Sequence, residues 1–174
     1  MPIIVGGLRQ RLNFDSIKNE IERALTSIGW FDGGRSHQAL NFITGPVDDR
    51  TEVPLNTLVL AAENMNDTFI EIGSDYSEHR RTFFVDLYAE SQSLGEHLIY
   101  DIRDILEGRM PSHGRSGPLI DVYDYQQATP PVIHTLELEF ITVDRGHTFS
   151  FPWQKFWWSA MFTAVDCYGN EDDT

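Results

Sequence analysis

The stretch Thr82 to Gly108 constrains this chain most. Its first part, TFFVDLYAE, alternates as a half-buried strand does: Phe83, Val85, Leu87 and Ala89 on one face, Phe84, Asp86, Tyr88 and Glu90 on the other. Its second part, SLGEHLIYDIRDILEG, changes to helical spacing. Leu94, Leu98, Ile102, Ile105 and Leu106 make one apolar stripe with Ile99 at its border, while Glu96, His97, Asp101, Arg103, Asp104 and Glu107 face away. Ser93 with Glu96 fits a capping box, and Gly108 fits the residue just past a helix end. A strand with one apolar face feeds an amphipathic helix, so the rest of the chain must cover both.

Candidate cover lies on either side. Met1–Leu12 reads as a lead-in. Asn13 or Asp15 can cap a helix whose face carries Phe14, Ile17, Ile21, Ala24, Leu25 and Ile28, ending at Gly29, with Trp30 and Phe31 packing back on it. Asp32-Gly33-Gly34 is a turn signal. Arg35–Pro54 is weakly patterned, a long excursion with a short strand around Leu40–Ile43. Thr57–Ala62 and Thr68–Ile72 read as two strands of a hairpin, and Gly73–Arg81 as a charged connector, mobile until assembly. Arg109–Pro118 is a loop rich in Gly, Pro and Ser, and Leu119–Tyr125 a short strand. His134–Val143 alternates, with Leu136, Leu138 and Phe140 on one face and Glu137, Glu139 and Ile141 on the other, which suits an antiparallel sheet.

The segment Thr148–Tyr168 is aromatic-rich. Pro152 breaks any single central strand there. The expectation is that Thr148–Trp153 leaves the domain as an arm and that Phe156–Val165 rejoins the sheet beside His134–Val143. Adjacent on a strand, Trp157 and Trp158 must face opposite ways, so one of them needs a second surface. The reading divides the chain into a core, residues 1–147, and an aromatic strand or arm with an acidic tail, residues 148–174.

Charge narrows the function classes. Against 27 acidic residues stand 13 basic ones, a net −14, which argues against tight binding along a nucleic-acid backbone. Cys167 is the sole cysteine, so no internal disulfide is possible. The N-terminal apolar run is too short for a signal peptide, and no stretch approaches a membrane span, so cytoplasm-like conditions are expected. The six histidines lack metal-ligand spacing, the Gly108–Gly117 loop lacks the ending of a phosphate loop, and no G-x-S-x-G occurs. Nothing calls for a cofactor or a metal, and the expectation is that the protein is not an enzyme.

The order of these parts resembles the tail-terminator, or tail-completion, proteins of long-tailed bacteriophages, including a group from actinobacterial phages. A helix ending in Gly29-Trp30 comes first, then a hairpin, a strand of FFVDLYAE type, the helix LGEHLIYDIRDILEGR, a late strand and a Trp-bearing end. The resemblance covers roughly Phe14 to Val165 and rests on order and composition. It implies an α+β fold: an antiparallel β-sheet with two amphipathic helices packed on one face. It also implies a structural virion protein, a homo-hexameric ring in the neck that caps the tail tube protein and joins it to the head-proximal neck protein. DNA would pass through the lumen without specific binding, no membrane would be involved, and the ring would be assembled in the bacterial host cytoplasm. No catalytic residues carry over. The expected interface residues are Phe151, Trp153, Trp157 and Trp158, with His79, Arg80 and Arg81. Rival readings are a head-completion stopper of the same neck, a small soluble α+β enzyme, and a monomeric adaptor that binds through the aromatic end.

Overall fold

A computed structural model describes residues 6–31, 40–45, 53–63, 66–69, 76–110, 117–145 and 156–169. It is an α+β fold. The elements in order are α1 (Gly6–Ser27), β1 (Asn41–Thr44), β2 (Thr57–Ala62), β3 (Asn66–Phe69), β4 (Tyr76–Ala89), α2 (Gln92–Leu106), β5 (Leu119–Tyr123), β6 (Val132–Arg145) and β7 (Phe156–Gly169).

All seven strands join one sheet in the order β1-β2-β4-β7-β6-β5, with β3 also paired to β4. The pairings are antiparallel except β1 with β2, which is parallel. The expected β2–β3 hairpin does not form. β2 pairs with Phe83–Tyr88 and β3 with Ser77–Arg80 along the same edge of β4, so they are two parts of one interrupted strand. The Glu63 amide continues that ladder by donating to the Thr82 carbonyl at 2.9 Å. The connector reading of Gly73–Arg81 is likewise corrected over its second half: Tyr76–Arg81 are the start of β4. Charged residues sit comfortably there because both sheet faces offer them partners. The strand β7 lies between β4 and β6, so the aromatic run from Phe156 onward is a central part of the sheet.

One sheet face is apolar and takes both helices. Phe83, Val85, Leu87 and Ala89 are buried on it, as their alternation predicts. So are Trp158, Ala160, Phe162 and Ala164 of β7, with Phe83 and Phe162 stacked at 5.5 Å. The α2 helix covers this face with Leu98, Ile99, Ile102, Ile105 and Leu106, each worth about 1.5–3 kcal/mol relative to exposure. Its N-cap is Ser91, whose Oγ accepts from the Leu94 amide at 3.3 Å, two residues earlier than the expected Ser93. Its end is a Schellman motif. The Gly108 amide donates to Ile105 O and the Arg109 amide to Asp104 O, and Gly108 has φ 66°. The α1 helix ends in the same way, with Gly29 at φ 87° and the Trp30 amide donating to Leu25 O at 3.0 Å.

Two further expectations are corrected. The α1 helix starts at Gly6, well before Asn13, because Leu8 and Leu12 continue its stripe; Asn13 and Ser16 are buried within the helix and cap nothing. Phe140 faces away from the core and is 69% exposed. A β-bulge between Glu139 and Thr142 inserts one extra residue against β7 and reverses the alternation beyond it.

The sheet curls around α1. Lys18 Nζ sits 5.4 Å above the Phe42 ring on β1, while Ser16 Oγ accepts from the Tyr123 amide of β5 at 3.1 Å. Six strands laid flat would separate those edges by about 24 Å, whereas a helix with its side chains is only about 10–12 Å across. One helix meets both edges only because the sheet bends round it.

Candidate functional site

The inner face of the sheet turns polar at one end. Along β7 the inward positions run Trp158, Ala160, Phe162, Ala164 and then Asp166, which is 2% exposed. The first half of α1 lies over this end. Arg9 grips the Asp166 carboxylate with two hydrogen bonds, Nε to Oδ2 at 2.7 Å and a terminal guanidinium nitrogen to Oδ1 at 2.6 Å. Asn13 Nδ2 donates to Oδ2 at 3.0 Å. Because that amide donates to the carboxylate, Asn13 Oδ1 is left facing His134 Nε2 at 2.9 Å, so the network assigns the Nε2–H tautomer to His134. His134 Nδ1 is buried without a hydrogen-bond partner. Burial alone would raise the Asp166 pKa. Hydrogen bonds from Arg9, His134 and Asn13 outweigh it and hold the carboxyl well below the usual carboxylate range.

His79 and Arg81 complete this end. His79 lies opposite Asp166 in the β4–β7 ladder and is buried. Arg81 Nε donates to Glu63 O at 2.9 Å, and its guanidinium lies 5.6 Å from the Phe83 ring centre; burial lowers its pKa. Together with Gln10, Asn13 and Asp166 they line a shallow opening. The carboxylate that would act as a base there is already held by a guanidinium and an amide. The arrangement orients these side chains and fastens α1 to the sheet.

The other sheet face carries Arg80 and Trp157 of the expected interface residues. Arg80 pairs with Glu78 and, at 2.5 Å, with Glu139 of β6, and both hydrogen bonds raise its pKa. Trp157 and Trp158 point to opposite faces as expected. Trp158 is 3% exposed against α2, whereas Trp157 lies on the far face and its Nε1 donates to Asp86 Oδ1 at 3.2 Å. Burial raises the Asp86 pKa, against hydrogen bonds from Ser159 and Trp157, and burial with the nearby Asp86 charge pushes Tyr88 up to about 12. A carboxyl raised on folding favours the folded state at low pH, and the benefit is lost as pH rises through the folded pKa. Asp86→Asn keeps an acceptor for Trp157 without the charge. It should therefore stabilise the protein at pH 7 by about 1 kcal/mol or less, with the gain shrinking as pH falls through the raised folded pKa and gone below about pH 4, as thermal melts across that range will show.

The seven expected interface residues thus separate. His79, Arg81 and Trp158 belong to the inner face, Arg80 and Trp157 to the outer one, and Phe151 and Trp153 lie outside the described residues. The Arg9–Asn13–His134–Asp166 network was not expected. Its signal was the placement of polar Asn13 and Ser16 in phase with the apolar stripe of α1. Among the described residues, no group of three His, Cys, Asp or Glu side chains is placed to hold a metal ion, and no helix is long and apolar enough to cross a membrane. No protein-family model and no curated protein matches the sequence.

Proposed function

We propose that this chain is a ring-forming structural subunit of a bacteriophage neck, a tail terminator that caps the tail tube and joins it to the head-proximal connector. The observation that carries the reading is the element order. A Gly-Trp-terminated helix is followed by β4 and the Schellman-capped α2, and then by the late strands β6 and β7 with a tryptophan on each sheet face. The order agrees with the resemblance except that its early hairpin is replaced by β2 and β3 lying end to end along β4. Two physical features agree with it. The net charge of −14 suits a lumen that DNA crosses without being trapped. The polar cluster under α1 satisfies the Asp166 carboxylate internally, through Arg9 and Asn13.

Native mass spectrometry of the purified full chain tests the proposal. Closed rings near six copies, or rings formed on adding tail tubes, are expected. A strict monomer at high concentration that neither rings nor caps tubes would overturn it.

A further inference from the structure

The second half of β6 holds two alternation patterns in conflict. Up to Leu138, inward positions are His134, Leu136 and Leu138, and the same phase would next place Phe140 inward. Beyond the bulge the inward phase is Ile141 and Val143, and both pack partly buried against the core, with Val143 opposite Ala160 of β7. Phe140 is left outward, 69% exposed, with φ 53°. A left-handed conformation is strained at a bulky residue, and bulges of this form normally place glycine there.

The alternative can be written residue by residue. Without the bulge, Phe140 would face Phe162, Thr142 would face Ala160 and Asp144 would face Trp158, all on the inner face, since Glu139 already pairs with Thr163. That register relieves the strain at residue 140 and buries its ring. It also buries the Thr142 hydroxyl and the Asp144 carboxylate beside the indole, both now exposed. A one-residue slip exchanges every side chain between faces.

The unbulged register would also turn Ile141 and Val143 outward, which favours the bulged one; backbone pairing adds little to the choice. β5 pairs with β6 only over Val132–Glu137, and the Leu138 amide then donates to Pro118 O, so among the described residues the backbone of Phe140–Arg145 pairs with β7 alone, and the Arg145 guanidinium donates to Gln92 Oε1 at 3.5 Å. One ladder must shift, not two.

We propose that Phe140–Arg145 is a two-register segment that presents Phe140 at the surface in the bulged register and withdraws it against Phe162 in the unbulged one, with Thr142 and Asp144 holding the bulged state. The inference is independent of the ring reading.

Nuclear magnetic resonance on the full chain tests it. In Thr142→Val with Asp144→Leu, the positive-φ coupling at residue 140 should be lost and a ring contact between Phe140 and Phe162 should appear. In the wild type, millisecond exchange should be detected at residues 140–145 and at Phe162. Phe140→Gly, which removes both the strain and the ring to be buried, should abolish that exchange. If the double variant folds with Phe140 still outward at positive φ, the proposal is wrong. If that variant does not fold, the wild-type comparison decides: exchange absent, or unchanged in Phe140→Gly, overturns it.

Discussion

Replacing Asp166 by alanine should destabilise the protein by about 3 kcal/mol, measured by urea unfolding at pH 7. The carboxylate is 2% exposed and receives a bidentate guanidinium and an amide. Its loss removes the acceptor of both Arg9 hydrogen bonds and of the Asn13 amide. The figure sits at the low end of the range for broken buried pairs because the Arg9 side chain keeps 16% exposure and can turn partly to water. The same substitution predicts a pH signature. A carboxyl depressed on folding contributes stability that is fully present above its unfolded value of about 3.9 and is lost as pH falls through the folded one. The gap between wild type and Asp166→Ala should therefore be constant from about pH 5 to 7 and narrow progressively below about pH 4. A gap that does not narrow in acid would mean that the carboxylate charge contributes nothing.

Gly95→Ala should cost about 1–2 kcal/mol, although alanine is the better helix former by about 1 kcal/mol. Gly95 faces the sheet where α2 crosses β7, and an added Cβ would lie 2.1 Å from Trp158 Cζ3 and 2.5 Å from Cε3 and Cη2. These atoms belong to the six-membered ring of an indole that is 3% exposed and stacked near Phe156. Neither ring nor helix yields without disturbing Leu98 and Ile102 on the same stripe. Trp158→Phe removes the overlapping atoms, so thermal melts of the double-mutant cycle should show Gly95→Ala becoming neutral or stabilising in that background. If the cost of Gly95→Ala is unchanged by Trp158→Phe, the contact is not its cause.

The β4–α2 unit was legible in the sequence because each of its signals is local and repeated: a clean period of two, a clean helical stripe, and a glycine at the helix end. Phe83 to Leu106 needed no knowledge of any partner. What was missed depends on residues far apart. The first two turns of α1 looked like a lead-in because Asn13 and Ser16 interrupt the apolar pattern, and polar residues before a stripe suggest a cap. They are buried, and their partners are supplied by Asp166, His134 and the Tyr123 amide. The beginning of β4 was hidden in the same way, since charged Glu78, Arg80 and Arg81 argue for a connector until Glu139 and Glu63 come alongside. Phe140 failed for another reason: a bulge has no period, and alternation read across it gives the wrong face to everything beyond.

The position of β7 bears on how the chain folds as it is made. It is the last described strand in sequence and sits in the middle of the sheet, bonded to β4 along one edge and to β6 along the other. Until it is synthesised, both earlier strands hold an open edge toward each other, and Arg9 waits for a carboxylate 157 residues downstream. At about 5–20 residues per second that wait is roughly 8–30 s. During it the apolar stripes of α1 and α2 have only half a sheet to cover. Such a chain closes late and by long-range pairing, which slows folding and favours shielding of the nascent chain by a chaperone. A ribosome stalled before Phe156 would thus carry a chain with both helices but without the strand that joins the two halves of its sheet.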